Sequence, residues 1–259
     1  MPENSTKSKV TAMVVAVASL ALTLGGCSME TTSPGAAREQ AASDAKPHSL
    51  SASASATDCE KAKCIALTFD AGPGKDTPKL LDTLKEKKVH ATFFLLGENH
   101  VLKHPDVVRR IAAEGHEVAN HTWSHRRLDE LDAEEIRDEL SRTQDAIAKI
   151  TGRRPTLMRP PQGRINDDVT KVSRELGLAQ ILWSATAKDY STTDSELIKS
   201  RILDQAGRDG IILLHDIYDG TVPAVPGIID ELKKRGYTFV TVPELLAPGK
   251  ANPGEVYRP

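Results

Sequence analysis

The stretch LTFDAGPG at residues 67–74 joins a predicted strand to a reactive side chain. The apolar run that leads into it, residues 64–69, is short and nearly uninterrupted, as expected for a strand with both faces buried. Asp70 follows this run directly, and the triplet Gly72-Pro73-Gly74 then predicts a turn. The stretch therefore predicts a core strand that delivers a carboxylate to its C-terminal end.

Outward from this strand, short apolar runs alternate with amphipathic helical segments from residue 58 to about residue 247. Helix signals include a capping box that starts at Asp132 and a terminating Gly152. The predicted strands cover residues 65–69, 89–96, 117–120, 156–158, 179–183, 211–214 and 237–242. This alternation predicts an α/β fold with mainly parallel strands, either a small or incomplete (β/α)7 barrel or a doubly wound open sheet.

The composition limits the classes of function. The chain has 259 residues, of which 39% are hydrophobic and 27% charged, and its formal net charge is −2. No basic cluster with interleaved aromatic residues is present, so we do not expect nucleic acid as a partner. No G-x-G-x-x-G follows the first strand, which argues against dinucleotide binding. We expect a monomer.

The N-terminus resembles an export signal. Lys7 and Lys9 precede an apolar run at residues 10–24, and the tetrapeptide LGGC then ends at Cys27. A basic region, a short apolar core and small residues are typical of a signal peptide, and LGGC is similar to a bacterial lipobox. We predict a signal peptide over residues 1–27, lipidation of Cys27 and a domain anchored outside the cytoplasm. An ordinary secretory signal with an incidental cysteine is the alternative.

The segments that flank the predicted domain carry little apolar surface. Residues 28–57 are rich in Ser, Ala and Thr, which predicts a disordered linker, and residues 248–259 are predicted to be a C-terminal tail. Cys59 and Cys64 are spaced as CEKAKC, and a disulfide is the favoured interpretation in an oxidising compartment. Zinc binding by this pair is the weaker interpretation, because no further cysteine would complete a thiolate site.

Polar residues follow the predicted strands directly. In parallel β/α folds the C-terminal strand ends share one rim, where reacting groups gather. His121 and His125 lie four positions apart in HTWSH, and on a helical turn both imidazoles would face one metal ion. The residues predicted to meet at the rim are Asp70, His121, Arg159, Asp189 and His215.

Five short motifs occur in order after these strands: TFDAGP at residues 68–73, HTWSH at 121–125, RPPQG at 159–163, WSATAKDY at 183–190 and ILLHD at 212–216. Together they resemble the motifs of polysaccharide deacetylases of the NodB-homology type, carbohydrate esterase family four. The similarity covers residues 58–247. It implies a distorted (β/α)7 barrel and removal of acetyl groups from N-acetylglucosamine units of peptidoglycan, chitin or related glycans.

The resemblance also implies roles for individual residues. Asp70 would be the general base, with Arg159 as its ion-pair partner. His215 would be the general acid, tuned by Asp189. This assignment agrees with the chemistry, because amide hydrolysis needs a proton acceptor for water and a proton donor for the leaving amine.

A divalent metal, commonly zinc, is implied as the cofactor, with His121 and His125 as its ligands. The glycan groove would include Pro161, Tyr190 and Leu213. The family motif carries a second acid where this chain has Ala71, and that acid is normally the third metal ligand.

This departure leaves three hypotheses open. The first is an extracytoplasmic, metal-dependent N-deacetylase, which the retained Asp70, Arg159, Asp189 and His215 favour. The second is a catalytically impaired lipoprotein that binds cell-wall glycan. The third is a metal-independent hydrolase of another amide.

Overall fold

The computed structural model describes residues 30–44 and 57–259. The predicted signal peptide and Cys27 lie outside these residues. No helix in the described part of the chain combines the length and the apolar composition needed to cross a membrane.

In the described residues, all paired strands are parallel and belong to one sheet, in the order β6-β7-β1-β2-β3-β4-β5-β9, with β8 also pairing to β1. Residues 182–184 carry the chain from β5 directly to β6, which lies at one edge of this order. Because β5 lies near the other edge, so short a connection requires the sheet to curl into a half-barrel. This confirms the predicted (β/α)7-type fold and excludes the doubly wound open sheet. The strands are β1 (Lys63–Gly72), β2 (Thr92–Leu95), β3 (Glu117–Asn120), β4 (Leu157–Met158), β5 (Ala179–Ile181), β6 (Ala185–Thr186), β7 (Gly210–His215), β8 (Tyr237–Val240) and β9 (Val256–Tyr257).

The helices cover the outside of the curled sheet, and their apolar faces form the main core with β1, β2 and β7. Capping defines the longest of them, as predicted: Asp132 accepts hydrogen bonds from the backbone of Glu134 and Glu135, and Gly152 ends the helix at φ 74°. The helices are α1 (Pro34–Asp44), α2 (Thr77–Lys87), α3 (Pro105–Ala113), α4 (Ala133–Thr151), α5 (Asp167–Glu175), α6 (Ser195–Gln205), α7 (Thr221–Lys234) and α8 (Val242–Leu246).

Part of the predicted linker is folded. Residues 34–44 form α1, and the prediction of a disordered segment over residues 28–57 is wrong for this stretch. Arg38 is buried, donates a hydrogen bond of 2.7 Å to the carbonyl oxygen of Leu245 and forms an ion pair of 2.7 Å with Asp209. Ala37 packs into the same region of the core. Contacts with distant residues therefore stabilise a segment whose own composition is poor in large apolar side chains.

The predicted C-terminal tail also belongs to the domain. Val256 and Tyr257 form β9, which pairs with β5, and Tyr257 is 1% exposed. Thr32 forms a bridge to Tyr257, so both ends of the described chain pack at this edge of the sheet. At the start of β1, Cys59 and Cys64 form a disulfide and both side chains are buried. This pair is therefore not a zinc site.

Candidate active site

Two neighbouring strands place an acid and a histidine side by side. Every residue of β1 from Cys64 onward is buried, and β1 pairs with β7 in a register that matches Asp70 to His215. Both residues lie at the C-terminal ends of their strands, as the sequence predicted. A proton acceptor and a proton donor are thus held on one rim by the backbone of the two central strands.

Arg159, which follows β4, holds the Asp70 carboxylate. Its Nη1 donates hydrogen bonds of 2.7 Å to Asp70 Oδ1 and 2.7 Å to Thr68 Oγ1, and its Nε donates to the carbonyl oxygen of Ile181 at 2.9 Å. The guanidinium also lies 4.1 Å from the ring centre of Phe94. Arg159 is 0% exposed, and burial lowers the pKa of its guanidinium while Asp70 opposes that shift. The pair is a buried, charge-assisted contact.

His215 has a carboxylate partner of its own. Its Nδ1 lies 2.8 Å from Asp189 Oδ1, and its backbone N–H donates to Asp189 Oδ2 at 2.7 Å. Thr221 Oγ1 donates a further hydrogen bond of 2.7 Å to Asp189 Oδ2. Burial disfavours the charged imidazole, but the hydrogen bond and negative charge of Asp189 outweigh it and raise the pKa of His215. His215 is therefore kept protonated to higher pH, with Nε2 left for a substrate.

The rings of the two histidines of HTWSH lie next to each other in space, but the prediction that they share a helical turn is wrong. Residues 121–125 form a loop in which Thr122 has φ 76° and His125 has φ 65°. The loop still brings the rings of His121 and His125 to a centroid distance of 5.0 Å. His121 Nδ1 donates to the carbonyl oxygen of Arg159 at 2.8 Å, which leaves Nε2 at 3.8 Å from Asp70 Oδ2.

The two imidazoles are suitable metal ligands, but a catalytic zinc site typically has three protein ligands. Burial lowers the pKa of His121 to about 4 and also lowers that of His125, so both rings are neutral near pH 7, as metal ligands must be. Catalytic zinc sites typically keep three protein ligands, and Ala71 supplies none. Among residues 30–44 and 57–259, no three His, Cys, Asp or Glu side chains are grouped so as to hold a metal ion.

These groups open into a groove of about 780 Å³. Tyr190 and Leu213, predicted as substrate-binding residues, line it. Pro161 does not, because it is buried at the start of a short 3-10 turn, and the neighbouring Pro160 and Gln162 line the groove instead. The arrangement provides a proton acceptor, a proton donor and an imidazole pair in this groove.

Comparison with known proteins identifies the family. The model of the family described as polysaccharide deacetylase matches residues 57–181. A solved structure titled T48 deacetylase with substrate is 38% identical, with a TM-score of 0.75, and the match covers 78% of this chain and 100% of that chain. The chain belongs to the polysaccharide deacetylase family.

Among curated relatives of this family member, the peptidoglycan-N-acetylmuramic acid deacetylase PdaC of Bacillus subtilis is 43% identical over 71% of this chain. The chain spans only 38% of the length of PdaC. A peptidoglycan-N-acetylglucosamine deacetylase of Bacillus cereus is 39% identical over 71% of this chain and 88% of that protein.

Backbone strain in this family member is concentrated at the groove, a feature that the sequence did not reveal. Four lining residues other than glycine have positive φ: Ala71 at 64°, His125 at 65°, Gln162 at 57° and Lys188 at 49°. Such conformations cost free energy and gather at functional sites. Aspartate tolerates this region better than alanine does, so position 71 keeps a backbone conformation that suits the absent acid.

The sequence analysis gave no role to Asp216, a buried acid that follows His215 in ILLHD. It is 0% exposed, Thr77 donates a hydrogen bond to its Oδ2, and its Oδ1 is buried without a hydrogen-bond partner. A Cβ added to Gly72 would lie 2.3 Å from Oδ1, so only glycine fits there. Burial raises the pKa of Asp216 to about 6. This carboxyl group packs directly against the turn that follows Asp70.

Proposed function

We propose that the protein is a polysaccharide N-deacetylase that releases acetate from the amino sugars of peptidoglycan. One observation carries the proposal: Asp70 and His215 are register partners on one rim, each held by a buried partner of opposite charge. Amide hydrolysis needs this pairing, because water must lose a proton and the amine must gain one. The activities named for PdaC and for the Bacillus cereus relative support the same substrate class.

The first half of the reaction uses Asp70. Its Oδ1 is occupied by Arg159, so Oδ2 is the atom available to take a proton from the attacking water. The water oxygen adds to the acetamide carbon to give a tetrahedral intermediate. A divalent cation bound by His121 and His125 would polarise the carbonyl and acidify the water. Arg159 holds Asp70 in place for this role through its hydrogen bond to Oδ1.

The second half uses His215. The intermediate collapses with cleavage of the carbon–nitrogen bond, and His215 Nε2 gives a proton to the departing nitrogen. Asp189 orients the ring through Nδ1 and stabilises its charged form. Acetate and a free amino sugar are the products, and the proton taken by Asp70 balances the one given by His215.

We further propose that the enzyme works outside the cytoplasm, anchored through Cys27, because its substrate is cell-wall glycan. The disulfide between Cys59 and Cys64 supports an oxidising compartment.

A second candidate function is glycan binding with impaired catalysis. Ala71 favours it, since this position contributes no metal ligand and only two imidazoles remain. The retained Arg159 and Asp189 contacts favour the enzyme, because a binding protein has no need of a general acid held protonated.

Acetate release from purified peptidoglycan tests the proposal. Acetate released by zinc-loaded protein is quantified. The treated peptidoglycan is then digested with muramidase, and mass spectrometry of the fragments shows which sugar lost its acetyl group. We expect release that chelator and Asp70→Asn both abolish. No release from peptidoglycan or from N-acetylglucosamine oligomers, with saccharide binding unaffected by chelator, would favour the second candidate.

A further inference from the structure

Two cations of the groove have no role in the chemistry described above. Arg164 and Lys188 both line the cleft, and both are exposed. Neither forms an ion pair with a carboxylate in the part of the chain that the structure describes. The carboxylate of Asp129 is already paired with Arg127 at 2.9 Å, and this hydrogen bond, with a smaller contribution from the charge of Arg164, lowers the pKa of Asp129.

The two cations line the same groove as an aromatic ring. Arg164 follows β4 and Lys188 follows β6, while Trp183 lies in the loop between β5 and β6 and also lines the groove. The turn before Arg164 packs onto this ring, since a Cβ at Gly163 would lie 3.0 Å from Trp183 Cη2. An aromatic ring and two cations in one groove suit a sugar ring that carries a negative charge.

Lys188 has a backbone conformation that residues other than glycine rarely adopt. Lys188 has φ 49°, and the conformation is fixed by hydrogen bonds at its own backbone. Its carbonyl oxygen accepts from Ser191 N at 2.9 Å and from Ser191 Oγ at 2.6 Å, and its N–H donates to Thr186 Oγ1 at 3.3 Å. A strained residue kept at a cleft rim by neighbouring contacts points to function rather than to packing.

The charge balance of the groove favours an anion. Asp70 is the one carboxylate among the described residues that line the groove. The buried guanidinium of Arg159 forms an ion pair with it and neutralises its charge. The unbalanced cations are therefore Arg164 and Lys188.

We propose that Arg164 and Lys188 form a carboxylate-binding subsite beside Trp183, which selects glycans with an acidic substituent next to the acetamide unit that reacts. Arginine would bind the carboxylate through two parallel hydrogen bonds, and lysine as a point charge. In peptidoglycan the carboxylate comes either from the lactyl group of a neighbouring muramic acid or from an attached peptide. The inference rests on the proposed function only in taking a glycan as the occupant of the groove.

Binding calorimetry with the purified chain tests the subsite, with chelator present to suppress turnover. Three tetrasaccharides are compared: a neutral N-acetylglucosamine tetramer, an alternating tetramer with free lactyl carboxylates, and the same tetramer with its peptides. We expect an acidic tetramer to bind about tenfold more tightly than the neutral one at low salt. Added salt should remove this preference. If the peptide-free tetramer already shows it, the lactyl group is the source; if only the peptide-bearing tetramer does, the peptide is.

The variants Arg164→Gln and Lys188→Gln, singly and combined, should remove the preference without changing affinity for the neutral tetramer. Lys171→Gln, an exposed lysine on α5 outside the groove, is the matched control and should retain it. Equal affinity for all three tetrasaccharides, or equal loss for neutral and acidic ones, would overturn the subsite. Charge-dependent binding without acetate release would refute the proposed function but support the subsite. Acetate release without a preference for acidic tetramers would support the proposed function but refute the subsite.

Discussion

Asp70 and His215 are register partners on β1 and β7, so the backbone hydrogen bonds of two adjacent parallel strands set their relative position. Each side chain is then oriented by one buried partner, Arg159 for Asp70 and Asp189 for His215. The acceptor and donor roles therefore depend on two ion pairs that can be tested separately.

The pH dependence of activity tests the His215–Asp189 pair. Because the proposed role of His215 as general acid needs its protonated form, activity should fall as pH rises through its pKa, which the contact with Asp189 raises above the ordinary value of 6.5. In Asp189→Asn the pKa of His215 drops, so the falling limb of kcat/KM should move to lower pH. We also expect a loss of about 10- to 100-fold at neutral pH, as for other residues that orient a catalytic group. An unchanged falling limb in this variant would contradict the role of Asp189.

Substitution of Arg159 tests the buried pair with Asp70. In Arg159→Met the carboxylate loses its partner in a buried site, and the free energy of unfolding should fall by about 3–5 kcal/mol. Urea unfolding measures this loss. The matched control is Arg137→Met, which removes an exposed pair with Glu175 and should cost less than about 1 kcal/mol. Equal costs for the two variants would show that the Asp70 pair is not buried as described.

Restoration of a third ligand tests the metal site. Zinc titration of Ala71→Asp should give about 100-fold tighter binding than the natural chain, on the order of one ligand's share of the binding energy of a structural zinc site. Ala71→Asn is the matched control, because asparagine also tolerates the positive φ at this position but brings no carboxylate. Similar zinc affinity in all three proteins would mean that position 71 does not face the metal.

The stability of the fold should depend on Asp216. Its pKa is 3.8 in an unfolded chain and about 6 when buried, so the folded state binds the proton more strongly. The free energy of unfolding therefore falls as pH rises from 3.8 to about 6, by about 3 kcal/mol at 1.4 kcal/mol per unit. Relative to Asp216→Asn, the natural protein should lose stability across this range. The exposed Asp168→Asn is the control, and a constant difference between natural and Asp216→Asn proteins would refute the assignment.

Much of the fold followed from the sequence because its signals are local. The buried run before Asp70, the capping box at Asp132 and the terminating Gly152 each specify an element without help from distant residues. The missed elements are the opposite case. β6 and β9 are two residues long and have no periodicity, and α1 is stabilised by the contact of Arg38 with Asp209.

The same distinction holds in the site. The strand-end rule placed Asp70 and His215 on one rim, because parallel strands share their C-terminal edge. It could not give the loop conformation at His125 or the strained backbone at Gln162 and Lys188, because no sequence pattern specifies a positive φ at a residue other than glycine. The four-residue spacing of HTWSH fits a helical turn and this loop equally well, so the spacing alone could not predict the loop.

The central claim is that this site hydrolyses N-acetyl groups with two imidazoles and no acid at position 71. Initial rates of acetate release from peptidoglycan, measured with zinc for the natural protein, Ala71→Asp and Asp70→Asn, test it most directly. We predict release by the natural protein well above that of Asp70→Asn, and faster release by Ala71→Asp. A natural protein as inert as Asp70→Asn, beside an active Ala71→Asp, would contradict the claim and identify a glycan-binding protein that has lost its catalysis.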